Sequence, residues 1–256
     1  MLALALDLTT DLGPTLIQGR RAATRNVDTK SSKTDMVTEM DRWCEGEVVS
    51  RLLDARPDDG ILGEEGASVD GTSGVRWIID PIDGTTNYFY DLPGYSISIA
   101  AEIDGVISAG LVIDPIRAET FTATKGGGAT RNGRPLSVSK VDDLSIALVG
   151  TGFNYQPDVR RDQAETLVHL LPIVRDIRRF GGAALDLCAV ACGRLDIYFE
   201  RGLSAWDVAA GGLIATEAGA LLTDFSGQPS WTDQAVCGPP ALHAALLAHL
   251  GSGWRA

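Results

Sequence analysis

The stretch Trp77-Ile78-Ile79-Asp80-Pro81-Ile82-Asp83-Gly84-Thr85-Thr86-Asn87 carries the most legible chemistry in the chain. Its apolar run reads as a strand that delivers Asp80 at its C-terminal end, and Pro81 prevents ordinary continuation. Asp83 follows three residues later, so a tight turn can bring both carboxylates to one side. Gly84 lets the backbone bend sharply and frees the N–H groups of Gly84, Thr85 and Thr86. Two converging carboxylates attract a hard cation, and N–H groups at a helix start cradle phosphate oxygens. The plainer alternative is an Asp-rich turn that caps a short helix.

Two other acidic segments bear on the same chemistry. Gly63-Glu64-Glu65-Gly66 places adjacent acids in a glycine-flanked turn, where they repel unless a cation or solvent lies between them. Ala205-Trp206-Asp207-Val208-Ala209-Ala210-Gly211 sets one Asp at the start of a small-residue helix. An Asp there also complements the helix dipole without any ligand. Surface solvation and capping therefore stand beside metal binding as readings of these two segments.

The elements that must position these groups can be read from periodicity. Leu8, Leu12 and Leu16 recur at helical spacing, with Gly13-Pro14 expected to kink or split the helix. A second helix begins near Thr38, with Cys44, Val48 and Leu52 on one face. Alternating segments at Tyr95–Glu102 and Val106–Ile113 flank Asp104-Gly105, a type I′ hairpin signal, and a strand near Thr120 and the turn Asn132-Gly133 continue the meander. Beyond it, strands are predicted at Ile146–Val149, Ile177–Phe180, Leu195–Phe199 and Ala220–Asp224. Helices are predicted at Gln163–Val174, Ala183–Cys192, Val208–Ala218 and after Pro240. This order predicts a layered α+β and α/β sandwich (αβαβα). An antiparallel-sheet first half (1–140) carries most of the acids, and a mixed α/β second half (141–256) carries Asp207. No linker rich in Pro, Gly or Ser separates the halves, so they should form a single rigid unit.

The formal net charge is -12, from 34 acidic and 22 basic residues in 256. That balance argues against holding nucleic acid by direct charge and leaves a small phosphate ester open, because bound cations invert the local field. The apolar start Met1–Leu6 is too short for a signal-peptide core, and no stretch reaches membrane length without a charge. Cys44, Cys188, Cys192 and Cys237 lack zinc-type spacing and read as free thiols of a reduced, cytoplasmic protein. His169, His243 and His249 match no motif, and Gly126-Gly127-Gly128 reads as a loop.

Taken together, the segments resemble the inositol monophosphatase family. The likeness runs from about Lys30 to Ala220. It rests on Lys30-Ser31-Ser32, Asp35-Met36-Val37-Thr38-Glu39-Met40-Asp41, Gly63-Glu64-Glu65, Asp80 to Thr86, Trp206-Asp207 and the intervals between them. Arg178–Cys188 and Asp196–Glu200 resemble the inositol phosphatases within it, whereas Tyr88 and Ala205 stand where many relatives have Phe and Cys. The resemblance implies a magnesium-dependent, lithium-sensitive hydrolase of a phosphate monoester, inositol 1-phosphate being favoured. Histidinol phosphate, fructose bisphosphate and adenosine bisphosphate are alternatives, as is a non-enzymatic regulatory binding protein. It also implies a homodimer.

Carried over residue by residue, the resemblance implies that Glu64, Asp80 and the Ile82 carbonyl hold a first magnesium ion. Asp80, Asp83 and Asp207 would hold a second, and Glu64 would assist a third. All-oxygen ligands suit magnesium, or manganese in its place. Thr85 and Asp41 would align the attacking water, with Glu64 also in the catalytic set. Thr38-x-x-Asp41 reads equally as a capping box for the second helix. Asp83, Gly84, Thr85 and Asp207 would contact the substrate. Gly181, Gly182 and Ala183 would form one wall, and Glu200, read as ending its strand, would accept substrate hydroxyls. Glu65 would lie behind the metal ligands and Lys30 in a mobile loop near them. Arg178 and Arg179 would sense a second phosphate or face solvent.

Overall fold

The computed structural model describes residues 1–22, 27–29 and 36–250, with side chains described for 1–20 and 39–250. The chain opens with helices α1 (Leu2–Thr9) and α2 (Leu12–Ala22). The split falls before Gly13-Pro14, not at it. Pro14 sits in the first turn of α2, where its missing N–H has no intrahelical partner to lose. Strands β1 (Val27–Thr29) and β2 (Met36–Thr38) pair antiparallel and lead into α3 (Glu39–Ala55), which buries Cys44, Val48 and Leu52.

Eight strands then form one sheet. They are β3 (Gly60–Gly63), β4 (Ser68–Val69), β5 (Val75–Asp83), β6 (Ser96–Ile103), β7 (Val106–Asp114), β8 (Glu119–Thr124), β9 (Gly128–Arg131) and β10 (Arg134–Pro135). The short helix α4 (Thr85–Phe89) lies between β5 and β6. The spatial order is β10-β9-β8-β7-β6-β5-β3-β4, antiparallel throughout except for the parallel pair β3 and β5. Asp104 and Gly105 both take positive φ (50° and 80°), as do Asn132 and Gly133 (50° and 74°), the backbone that two-residue hairpins of this hand require.

The second sheet is built from β11 (Leu148–Thr151), β12 (Asp176–Arg178), β13 (Ile197–Leu203), β14 (Leu221–Thr223) and β15 (Asp233–Gly238), ordered β12-β11-β13-β15-β14. Helices α5 (Pro157–Leu170), α6 (Ala183–Ala191), α7 (Ala205–Glu217) and α8 (Pro240–Leu250) complete the chain. β11 runs parallel to both its neighbours, and β15 pairs antiparallel with β13 and β14.

Three apolar clusters define five layers. Ala5, Leu12, Leu16, Cys44, Val48 and Leu52 of the first three helices pack on Trp77, Ile79, Ile97 and Leu111 of the large sheet. On its other face Ile78, Ala100, Val112 and Phe121 meet α6 and α7, which also cover Tyr198, Leu222 and Cys237 of the second sheet. The outer face of that sheet (Val149, Ile197, Phe199, Val236) packs on Leu170, Leu242, Leu246 and Leu250. The fold is therefore an αβαβα layered sandwich. All nine residues of α6 are buried, as a helix between two sheets requires.

Several element ends differ from the sequence reading. Asp143 caps a 3₁₀ turn at Leu144–Ile146 by accepting from the Ser145 N–H at 2.9 Å, which delays β11 to Leu148. Helix α5 begins at Pro157 and ends at Leu170, because Pro157 suits a first turn and Pro172 has no N–H to extend the last one. Strand β12 stops at Arg178 instead of running to Phe180. Glu200 does not end its strand: pairing with β15 carries β13 on to Leu203 through a bulge between Arg201 and Leu203. Strand β15 itself was missed, its apolar centre being only Ala235-Val236-Cys237. The four cysteines are free. His243 is buried on α8 and bonds the Thr223 hydroxyl at 2.8 Å. Among the described residues no helix is long and apolar enough to cross a membrane.

Candidate active site

The large sheet's register explains how two acids three residues apart share a face. Odd spacing in a regular strand sends side chains to opposite sides. In β5, Asp80 lies opposite Ser98 and Asp83 opposite Ser96, with a bulge at Pro81-Ile82 absorbing the extra residue. Asp80 and Ile78 point to the α6–α7 side, and the bulge returns Asp83 to it. The parallel neighbour β3 ends beside them: the Glu64 N–H donates to the Ile79 carbonyl at 3.1 Å, so Glu64 leaves its strand next to Asp80. Asp207 arrives from α7, as the third helical residue, where it accepts from the Ser204 N–H at 2.6 Å in a capping box.

Asp80, Asp83 and Asp207 each offer a carboxylate oxygen within 4.8 Å of the others. None of the three makes an ion pair with Lys or Arg among the described residues. Burial, then Glu64, Asp83 and Asp207, push the Asp80 pKa well above the carboxylate range; burial, then Asp83, do the same to Asp207. Burial lifts Asp83 to about 6 against the pull of N–H groups of α6. Buried like charges without a counter-ion are costly, and a divalent cation among all-oxygen donors relieves that cost. The donor set fits a hard metal ion on those grounds.

Asp83 also has a structural task. Its two oxygens accept from the N–H groups of Ala183 (3.1 Å) and Ala184 (2.9 Å), capping α6 from a distant strand. A methyl group at Gly182 would sit 2.8 Å from Asp83 Oδ2, so only hydrogen fits there. Thr85 lies just after Gly84, which holds φ 89°, and its hydroxyl can donate to Asp41 Oδ1 or to the Ile82 carbonyl, each at 3.1 Å. Asp41 is fully buried on α3.

The acids, Ile82, Gly84 and Thr85 line a cavity of about 430 Å³ that also takes in Gly152, Asn154, Arg179, Gly181, Ala183 and Glu200. Glu200 accepts from the Tyr198 hydroxyl at 2.5 Å, and burial lifts its pKa to about 7. Arg179 lines the cavity, whereas Arg178 pairs with Asp176 at 2.6 Å. Glu65 lies half-buried beside Glu64, away from the cavity lining, and its N–H donates to Glu45 at 2.8 Å. Gly182 does not line the cavity, although Gly181 and Ala183 on either side of it do, and its Cα lies against Asp83. Lys30 lies outside the described residues, as do the side chains of Asp35 and Thr38.

Sequence reasoning missed four contributors. Glu45 of α3 accepts from the N–H groups of Glu65 and Ala67 (2.8 and 2.9 Å) and so holds the Glu64 turn; its signal is an acid one helical turn after Asp41 on the apolar face. Asn87 ties the Gly94 and Phe180 carbonyls together at 2.8 and 2.6 Å. Tyr198 shares a strand face with Glu200. Asp186, 1% exposed on α6 with its Oδ1 lacking a hydrogen-bond partner, is held well above the usual range first by burial and then by Glu200. An acid in an otherwise apolar helix was its only mark.

Comparison with known proteins places this geometry. The chain is 50% identical over 203 residues to the inositol-1-monophosphatase SuhB of Mycobacterium tuberculosis, covering 76% of this chain and 70% of that one. It is 40% identical over 260 residues to the Nus factor SuhB of Pseudomonas aeruginosa, covering 96% and 94%. The crystal structure of the extragenic suppressor protein suhB of Bartonella henselae superposes with a TM-score of 0.92 at 34% identity, covering 98% of both chains. The inositol monophosphatase family model matches residues 1–254, and with it the carboxylate cluster and its cavity find their context: the chain belongs to the inositol monophosphatase family and is a phosphatase.

Proposed function

We propose that the protein hydrolyses inositol 1-phosphate to inositol and phosphate with magnesium. The observation that carries this reading is a carboxylate cluster, Asp80 and Asp83 buried and Asp207 half-buried, with no ion pair to Lys or Arg among the described residues, in a cavity that also presents Glu200. Glu64, Asp80 and the Ile82 carbonyl would hold one ion, Asp80, Asp83 and Asp207 a second, with Glu64 assisting a third. Bound there, the metal supplies positive charge for the phosphoryl oxygens and lowers the pKa of water.

The protein's own groups do the rest. N–H groups of Gly84 and Thr85 receive phosphate oxygens at the start of α4. The Thr85 hydroxyl, kept in place by Asp41, orients water for in-line attack, and Glu64, which lines the same cavity and interacts with Asp80, would take its proton. A water oxygen bonds to phosphorus as the ester P–O bond breaks, and the departing alkoxide takes up a proton to leave as inositol. The wall of Gly181 and Ala183 lets a ring approach the backbone, Gly182 between them leaving room for Asp83, and Glu200 accepts its hydroxyls. Glu65 and Lys30 are assigned supporting roles beside the metal ligands.

Histidinol phosphate, fructose bisphosphate and adenosine bisphosphate are the competing substrates. Phosphate release from all four, with magnesium or with chelator, separates them. Inositol 1-phosphate should give the highest kcat/KM, with activity lost on chelation and depressed by lithium or excess magnesium. Full turnover in chelator would overturn the metal reading, and preference for another ester would overturn the substrate. Relatives named Nus factor SuhB favour a second reading, a regulatory binding protein, which metal-dependent turnover would disfavour. A cytoplasmic homodimer belongs to the same proposal and is tested by light scattering and cell fractionation.

A further inference from the structure

Glu200 is held from two sides by residues to which the proposed chemistry assigns nothing. Alternation along β13 puts Tyr198 and Glu200 on one face, with Tyr198 fully buried beneath. Its hydroxyl donates to Glu200 Oε2 at 2.5 Å, which leaves Oε1 to accept from something else. On the other side lies Gly152, directly after the parallel neighbour β11, where Thr151 is in register with Phe199. A methyl group at Gly152 would overlap both carboxylate oxygens of Glu200. The backbone there is itself pinned: buried Gln163 donates to the Gly152 carbonyl at 3.4 Å and accepts from the Asn154 N–H at 2.9 Å.

We propose that Tyr198 and Gly152 are positioning residues that fix the direction of the Glu200 carboxylate and so make the cavity select polyol phosphates over esters with no hydroxyl to donate. The inference rests on the reading of Glu200 as the acceptor of substrate hydroxyls. A carboxylate free to rotate would have to be ordered by each substrate, and a fixed one has met that cost in folding. The phenol supplies direction, and the bare backbone supplies the space without which the carboxylate could not lie where it does.

The test compares kcat/KM for inositol 1-phosphate and for 4-nitrophenyl phosphate at saturating magnesium. The variants are Tyr198→Phe, Gly152→Ala, Glu200→Ala and the two doubles with Glu200→Ala, each checked for folding by circular dichroism. Each single change at 198 or 152 should lower the inositol-to-nitrophenyl ratio by about tenfold to a hundredfold, the worth of a hydrogen bond to a charged group. The loss should appear in KM for inositol 1-phosphate, with kcat for the nitrophenyl ester unchanged. In the Glu200→Ala background neither change should alter the ratio more than about twofold. If Glu200→Ala lowers the ratio and Tyr198→Phe and Gly152→Ala do not, the clamp is wrong and the role of Glu200 stands. If both still lower it without Glu200, they act through the fold and the clamp is again wrong. If Glu200→Ala leaves the ratio unchanged, the underlying reading fails and takes this inference with it.

Discussion

Stripping metal from this protein should make it less stable as pH rises, the reverse of ordinary acid denaturation. Asp83 holds its proton to about pH 6 in the folded chain, against 3.8 for an unperturbed carboxyl, chiefly because it is buried. A group raised in this way stabilises fully below its unfolded pKa and loses that contribution as pH climbs through the folded value. The two-unit difference amounts to about 3 kcal/mol at about 1.4 kcal/mol per unit. Between pH 5 and 7.5 the unfolded carboxyl is already ionised, so about 1.4 kcal/mol of the Asp83 contribution disappears in that window. For a chain this size that is a fall in Tm of about 3–6 °C, and Asp80 and Asp207, raised in the same direction, add to it. Magnesium should replace the protons and restore Tm more at pH 7.5 than at pH 5. Differential scanning fluorimetry with chelator or with magnesium, at both pH values, reads this directly. Asp80→Asn serves as the control: it should raise the chelated Tm at pH 7.5 and abolish the magnesium gain. A chelated protein whose Tm is flat or climbs between pH 5 and 7.5 would refute the account of the cluster as carboxylates crowded together with no ion-pair partner among the described residues.

Three further outcomes follow from individual contacts. Thr85→Ala and Asp41→Asn should each lower kcat by about 10²–10⁴-fold with little change in KM. Their double variant should be far from additive, and independent multiplication of the losses would show that the pair is not one unit. Gly182→Ala should push Asp83 away from the start of α6, costing about 1–3 kcal/mol in a urea titration and weakening magnesium binding by calorimetry. No change in either would mean that the close approach at Gly182 is immaterial. Glu45→Ala should leave the N–H groups of Glu65 and Ala67 without their carboxylate, raising half-saturating magnesium about tenfold while kcat holds. An unaltered magnesium dependence would show that the Glu64 turn keeps its shape unaided.

Local chemistry made much of the fold readable. Asp104-Gly105 and Asn132-Gly133 announce their hairpins because few residue pairs tolerate two successive positive φ angles. The buried face of α3 follows from Cys44, Val48 and Leu52 at helical spacing, and the alternation of elements was enough for five layers. Strand ends were less legible, since β13 runs past Glu200 only because β15, with three apolar residues at its centre, lies beside it. The same limit applies at the site. The sequence shows Asp80 and Asp83 three apart, but their common face depends on a bulge against Ser96 and Ser98 on another strand. It shows Asp207 as a helix-start acid, and only the packing of α7 between two sheets brings that carboxylate within 4.8 Å of the others. Glu45 and Gly152 act across elements distant in sequence, where residue type names no partner, whereas alternation alone puts Tyr198 on the face of Glu200 and leaves only their hydrogen bond to the folded structure. Backbone preference is local and survives in the sequence, while the approach of charged groups is set by long-range packing and exists only once the layers close.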